Sequence, residues 1–413
     1  MPSQKQLKTY ARLIIESGVS LKPGQTLVMT IPAEHVAFAR ILQEEAYRCG
    51  AGKVEIEFED ALVQRNNYRF ASEERLSKVR ESEILKRQET QGEQAAFLHI
   101  VSEYPGLLKG IDEEKIGRVR MARGKAFRKV QDYTMKSLGQ WCVAAVPNPA
   151  WAKEVFPAIT DEAEAVEKLY EAIFHTVYMD KKGNAVRNWQ KHGDAIRRHC
   201  DIMNGHQFAA LHFQNGIGTD LLVPLPDNHI WGGGREKAIL TGQWFDPNIP
   251  TEEIFTTPHR MKTEGTVVAS RPLCIGGSMI DGFSFEFHKG KVTSWKAKKG
   301  AKTLASLLES DAGSVRLGEV ALVPFDSSIS NLNLLFYETL FDENAACHLA
   351  LGASYPTCIK GGEHMSDKEL RAAGGNVSAI HEDFMFGTED LSVTGIHKDG
   401  SETPVFRHGN FVF

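Results

Sequence analysis

Four short segments in the second half of the chain set ionisable side chains beside apolar runs, where folding tends to bury them. Segment 250–256 carries Glu252 and Glu253 directly before Ile254 and Phe255, and segment 317–324 carries Glu319 at the head of a buried-strand pattern. Segment 338–348 carries Glu343 and His348, and segment 380–387 carries His381 and Asp383. Removing a carboxylate from water costs several kcal/mol unless it is paired or metal-bound. Each segment also has a plainer reading. Thr251 can cap a helix whose positive end faces Glu252 and Glu253. Arg316 is a local partner for Glu319. Asp342 and Asn344 are good caps, which predicts a helix with Glu343 at its mouth and His348 on its first turns. A histidine there otherwise reads as a hydrogen-bonded core residue. On a strand, residues i and i+2 share a face, so His381 and Asp383 point together and Glu382 and Phe384 point away. An imidazole beside a carboxylate is a half-site for zinc or a related divalent metal; the alternative is a charged surface strand.

Taken together, the segments offer four carboxylates (Glu253, Glu319, Glu343, Asp383) and two neutral imidazoles (His348, His381). Two divalent ions carry four positive charges, which four carboxylates offset. The balance suits a two-metal site with one bridging carboxylate, and Glu319 is the expected bridge and general base. It does not suit one structural zinc with mainly Cys and His ligands. The His-Glu-x-x-His signature of single-zinc proteases is absent, since Met385 stands four residues after His381. The run Gly232-Gly233-Gly234 lacks a following Lys-Ser/Thr and reads as a structural turn rather than a phosphate loop.

Residues 251–259 (Thr-Glu-Glu-Ile-Phe-Thr-Thr-Pro-His), 318–324 (Gly-Glu-Val-Ala-Leu-Val-Pro), 341–348 (Phe-Asp-Glu-Asn-Ala-Ala-Cys-His) and 381–385 (His-Glu-Asp-Phe-Met) resemble the thermophilic-aminopeptidase family, which includes aminopeptidase T and the PepS-type enzymes. The resemblance covers the whole chain in length and motif order, with no departure at a metal position. It implies two divalent ions (zinc, cobalt or magnesium) at Glu253, Glu319, Glu343, His348, His381 and Asp383, and a catalytic tyrosine at Tyr355. It also implies a homodimer that removes N-terminal residues from short peptides. Two rival readings remain at this stage. One is another dinuclear hydrolase, a phosphoesterase or amidase, for which Arg235 and Arg260 are the nearest cations. The other is a nucleotide-binding α/β module joined to a metal-stabilised interaction domain.

The elements that must position these residues follow from patterning. The first half alternates strands with helices: helix near Leu7–Ile14, strand 27–31, helix 33–49, strand 54–58, a polar helical stretch 72–91, strand 95–101, helix 113–136, strand 142–146 and helix 161–175. That order argues a parallel α/β domain over 1–185. After a helix at 186–204, strand-like runs at 209–213, 220–223, 266–270, 283–287, 291–295 and 320–323 crowd together. They argue a mixed α+β, largely antiparallel, metal-bearing domain over 186–413. The chain has 413 residues, 42% hydrophobic and 24% charged, with net charge -5. This excludes disordered and collagen-like classes and lacks the basic excess of a nucleic-acid binder. No apolar run approaches the ~20 residues of a membrane span. The start of the chain lacks a signal-peptide pattern. The six scattered cysteines read as reduced thiols of a cytoplasmic protein.

Overall fold

The computed structural model describes residues 1–179, 184–275 and 278–413. Helix α1 (Gln4–Leu13) starts at a reciprocal cap between Ser3 and Gln6. Strand β1 (Thr26–Pro32), helix α2 (Val36–Arg48) and strand β2 (Lys53–Glu59) form one βαβ unit, with β1 and β2 parallel. Strand β3 (Ala96–Val101), helix α3 (Glu113–Met135) and strand β4 (Trp141–Ala145) continue the alternation. The polar stretch at 72–91 is two helices, Glu73–Ser77 and Glu81–Gly92, and a further helix at Ala61–Phe70 buries none of its residues. Its apolar residues Leu62, Val63 and Phe70 are exposed. Helices α4 (Glu162–Thr176) and α5 (Ala185–His206) follow.

Strand β5 (Asn248–Ile249) comes from the second half of the chain yet pairs parallel with β4. The first sheet therefore runs β2-β1-β3-β4-β5, with every pairing parallel. Its central strand β1 is buried on both faces, as parallel sheets favour, whereas the edge strand β2 buries little beyond Val54. Tyr10, Leu42, Leu98, Trp151 and Ile173 lie in its core cluster, joined there by Ile249, Phe336 and Phe341.

In the second half, an eight-stranded sheet begins with Lys291–Lys296 and Ser284–His288 and ends with Glu402–Arg407 and Asn410–Phe411. A four-stranded sheet packs beside it: β6 (Ile254–Thr256), β7 (Leu317–Leu322), β8 (His348–Gly352) and β9 (His381–Met385), in that spatial order. All pairings in both sheets are antiparallel among the described residues. The inner face of the small sheet (Ile254, Val320, Leu322, Leu349, Leu351, Phe384) joins the second core with Phe283 and Phe285. Among the described residues, no helix is long and apolar enough to cross a membrane.

One expectation is corrected here. His348 opens strand β8 and does not ride a helix. The helical piece before it is one turn, Thr339–Asp342, continued by a 3-10 turn at Glu343–Ala345. Asp342 does not cap a following helix, because its carboxylate accepts the N–H groups of Phe336 (2.8 Å) and Glu338 (3.2 Å) behind it. Ala346 is fully extended, and the apolar Cys347, Leu349 and Leu351 are drawn into the sheet and its core. Nor does Thr251 cap a helix, since the chain runs directly into β6.

Candidate metal centre

Register decides which side chains meet. Direct pairs are Glu319 with Ala350, Ala321 with His348, Ala350 with Asp383, and Gly352 with His381. Opposed residues of an antiparallel pair share a face. The outer face of the small sheet therefore carries Glu319, His348, His381 and Asp383, separated by small residues at 321, 350 and 352. A β-bulge at Gly318 sets this alternation: Leu317 pairs with Leu351, and Glu319 with Ala350. The extra residue turns Leu317 into the core and Glu319 onto the outer face. A Cβ at Gly318 would lie 2.2 Å from the Ala353 carbonyl oxygen, so no other residue fits there.

Glu253 and Glu343 reach this face from elsewhere. Glu253 follows β5 of the first sheet and precedes β6. Glu343 ends a segment whose Phe336 and Phe341 stack in the first core, with ring centroids 4.6 Å apart. Asn344 joins the two approaches. Its Oδ1 accepts the Glu252 N–H at 2.7 Å, and its Nδ2 donates to the Leu340 carbonyl at 2.9 Å and, more weakly, to Glu343 Oε1 at 3.4 Å. Glu252 itself turns away and accepts from the hydroxyls of Tyr178 (2.8 Å) and Ser328 (2.6 Å).

The Nε2 of His348 lies 2.9 Å from Glu253 Oε2 and 4.0 Å from Glu319 Oε1. The Nε2 of His381 lies 3.2 Å from Glu319 Oε2 and 3.5 Å from Asp383 Oδ2. Two three-donor groups result, Glu253/Glu319/His348 and Glu319/His381/Asp383, sharing Glu319. Each imidazole has its Nδ1 on a backbone carbonyl: His348 on Ala346 at 3.2 Å and His381 on Ala353 at 2.7 Å. An Nδ1–H held this way leaves Nε2 free to face a cation. Glu343 lines the same cavity without joining either group. Asp383 Oδ1 is buried with no hydrogen-bond donor. An orphaned acceptor among so many buried acids is a poor arrangement without a cation, so the donor set fits divalent metal ions.

The electrostatics agree with that fit. Burial, then the charges of Asp383 and Glu253, outweigh the His381 hydrogen bond and push Glu319 up to about 7. Burial also drives Glu343 well above the carboxylate range, with Asp383, Glu253 and Glu319 adding to it. Burial pulls both imidazoles down, but the surrounding carboxylates win, lifting His348 to about 9 and His381 to about 10. Protons thus stand in for cations at a site crowded with negative charge. Tyr355 is lifted well above 10 by burial first, then by the charges of Glu319 and Asp383, so its phenol stays a donor. Its ring meets Phe255 (5.4 Å) and, edge-on, His381 (5.0 Å).

Arg316, the plain partner for Glu319, points away and donates to the carbonyls of Arg260 and Lys289. Residues that the motifs did not flag also line the cavity: Trp141 of β4, Gly233, Gly234, Glu236, Pro247 and Asn248. The glycine run forms a turn bridged to Phe255, and a Cβ at Gly233 would lie 2.5 Å from the Glu253 carbonyl oxygen. Glu236 follows that turn, with one oxygen on the Ser137 hydroxyl; its position after three glycines was the only sequence signal. No Arg or Lys lines the cavity among the described residues, and Arg235 is held by Asp246 at 3.2 Å. A site built for phosphate oxygens would present such cations.

Comparisons with known proteins follow the same line. Residues 3–411 match the family model described as thermophilic metalloprotease (M29). The chain is 41% identical over 410 residues to aminopeptidase 2 of Geobacillus stearothermophilus, covering 99% of this chain and 98% of that one. It is 39% identical over 411 residues to aminopeptidase T of Thermus thermophilus, covering 99% of each. The solved structure of wild-type AmpT from Thermus thermophilus superposes with a TM-score of 0.91 at 38% identity, covering 99% of this chain and 100% of that one.

Proposed function

The chain belongs to the thermophilic metalloprotease (M29) family and is a metal-dependent aminopeptidase; from that premise we propose that it works through two divalent cations held by Glu253, Glu319, Glu343, His348, His381 and Asp383. The observation that carries this reading is Glu319, whose two oxygens face the two imidazoles and which belongs to both three-donor groups. Zinc, cobalt or magnesium bound there would polarise the peptide carbonyl and make water acidic enough to attack it near neutral pH.

The chain's own residues do the rest. Glu319 takes a proton from the attacking water and delivers it to the leaving amine. Tyr355 donates a hydrogen bond to the oxygen that gains charge as the carbonyl is attacked, a role worth a few kcal/mol. Removal of an N-terminal residue also requires a partner for the free ammonium of the substrate. Glu236 is a carboxylate on the cavity wall outside the metal set, anchored by Ser137 through one oxygen, and we assign it that role. The family resemblance supports a cytoplasmic homodimer acting on short peptides.

A chelator should abolish release of the first residue from a peptide, and zinc, cobalt or magnesium should restore it. Acetylating the peptide N-terminus should block cleavage. Undiminished cleavage of the acetylated peptide would exclude recognition of the ammonium.

A further inference from the structure

The metal cavity encloses about 50 Å³. At ~10–15 Å³ per water it has room for roughly four waters and not for a peptide. A peptide whose first carbonyl reaches Glu319 must lie mostly elsewhere. A groove of about 520 Å³ adjoins the cavity and shares His381 with it. That volume is in the usual range of ligand pockets, ~300–1,000 Å³. One wall is α3 together with helix α6 (Ala301–Leu308), and the other is the chain at 376–382 that becomes β9. The segment at 353–356 divides the two spaces, with Tyr355 lining the metal cavity and Ser354 and Pro356 lining the groove.

Three observations point to what fills the groove. First, β9 is an edge strand that among the described residues pairs only with β8. The Ala353 N–H donates to the Ile380 carbonyl and the Phe386 N–H to the Cys347 carbonyl, so residues 380, 382, 384 and 386 turn their backbone toward β8. By alternation the backbone groups of His381, Asp383 and Met385 face away from β8; Asp383 and Met385 are buried and Met385 is covered by the Ser270 N–H, so the groove meets this edge at His381. An open edge accepts an extended peptide by main-chain hydrogen bonds. Second, Gly117 and Gly124 lie two turns apart on the groove side of α3. Gly117 is crowded, with a Cβ falling 2.8 Å from Ser306 Oγ, but a Cβ at Gly124 would meet nothing nearer than the Ala379 carbonyl oxygen at 3.8 Å. A glycine inside a helix costs about 1 kcal/mol relative to alanine, and packing does not call for one at 124. Third, Arg128 pairs with Asp367 and Lys136 with Asp132, whereas Arg120 has no ion pair within reach among the described residues and acts on Glu382 and Glu103 only through longer-range charge.

We propose that this groove holds the part of a peptide substrate downstream of the scissile bond, extended past the His381 end of β9 between α3 and the chain at 376–382, and that Arg120 meets the terminal carboxylate of short peptides. The proposal rests on the aminopeptidase reading and adds where the substrate lies beyond its first residue. From Gly117 to Arg128, α3 rises roughly 17 Å, the reach of about five extended residues.

Two measurements on the intact protein test it. With one N-terminal residue held constant, kcat/KM should climb at least about tenfold from dipeptide to pentapeptide and then level off; a flat length profile overturns the proposal. Gly124→Trp should leave an aminoacyl p-nitroanilide within about twofold of the parent while raising KM for the pentapeptide at least about tenfold. Equal change on both substrates overturns it. A shifted sedimentation coefficient with an unaltered peptide-to-reporter ratio also overturns it, giving the groove to a second copy of the chain. Should Gly124→Trp not fold, the length profile decides. C-terminal amidation of a tripeptide should raise KM several-fold in the parent and not in Arg120→Gln; an amidation effect that survives the substitution removes Arg120 from the assignment. A parent protein that cleaves neither the reporter nor the peptides refutes the aminopeptidase reading itself, a result distinct from all of these.

Discussion

Two of the protein's concave regions are built on different sheets, and they differ in what they can do. At the carboxyl ends of β1, β2 and β3 lies a cleft of about 500 Å³ lined by Glu59, Asp60, His99, Glu103 and Glu338. The strand order β2-β1-β3-β4 places it where doubly wound sheets commonly bind ligands. The metal cavity is about a tenth that volume, yet it concentrates four carboxylates and two imidazoles on one face and at its margin. In the large cleft the acids are spread over a wide, partly open surface, and the first βα turn (residues 32–35) contains no glycine for a phosphate. The proposed function places the chemistry by the density of mutually perturbing buried groups and not by the size of the opening.

That contrast can be broken most directly by paired substitutions. Glu319→Gln should lower turnover at least ~100-fold in metal-loaded protein, since general-base catalysis alone is worth ~10²–10⁴. Glu103→Gln in the large cleft should change it less than about twofold. Comparable losses, or near-normal turnover in Glu319→Gln, would remove the distinction between the two regions.

The second test concerns the residue that ties the separate approaches together. Asn344 contacts no proposed substrate position but links the Glu252–Glu253 backbone to Glu343. Partners of this supporting kind typically contribute 10–100-fold in metal affinity. Asn344→Ala should weaken binding of the restoring metal by about that factor in a direct titration, with turnover at saturating metal much less affected. Unchanged affinity would mean that the two ligands hold their positions without it.

The smallest effect is in stability. Glu338 sits at the rim of the large cleft, where burial, then the charges of Glu103 and Asp342, push it from 4.5 up to about 8. The folded state keeps this proton longer than the unfolded chain does. The associated stability is complete below about pH 4.5 and is lost as pH rises through 8. Its side chain opens partly to the cleft, so the expected effect is discounted to roughly 1–2 kcal/mol. Glu338→Gln should therefore gain on the parent by that amount in denaturant melts between pH 5 and pH 8; a constant difference would sink the assignment.

Much of the architecture was legible before folding. Period-two and helical patterning located strands β1 to β4, the long helix α3 and the antiparallel crowd of the second half, because each element buries one repeating set of apolar side chains. The four charged segments stood out for the same reason, as acids and histidines embedded in runs that had to be buried. The i, i+2 spacing of His381 and Asp383 fixed their common face without any knowledge of partners.

Other features depended on contacts between residues far apart in the sequence. His348 reads locally as the early turn of a helix, and only the demand of the neighbouring strands for Cys347, Leu349 and Leu351 makes it the start of β8. The bulge at Gly318 that aims Glu319 outward is a property of register with β8, which a single strand does not encode. The six residues all lie in the second half of the chain, yet Glu253 arrives from a strand of the first sheet and Glu343 from a segment stacked into the first core. Local pattern specifies which face a side chain takes. Which distant backbone carries it to the same few ångströms is decided by packing, and that is why Asn344, Glu236 and the groove along α3 became visible only in three dimensions.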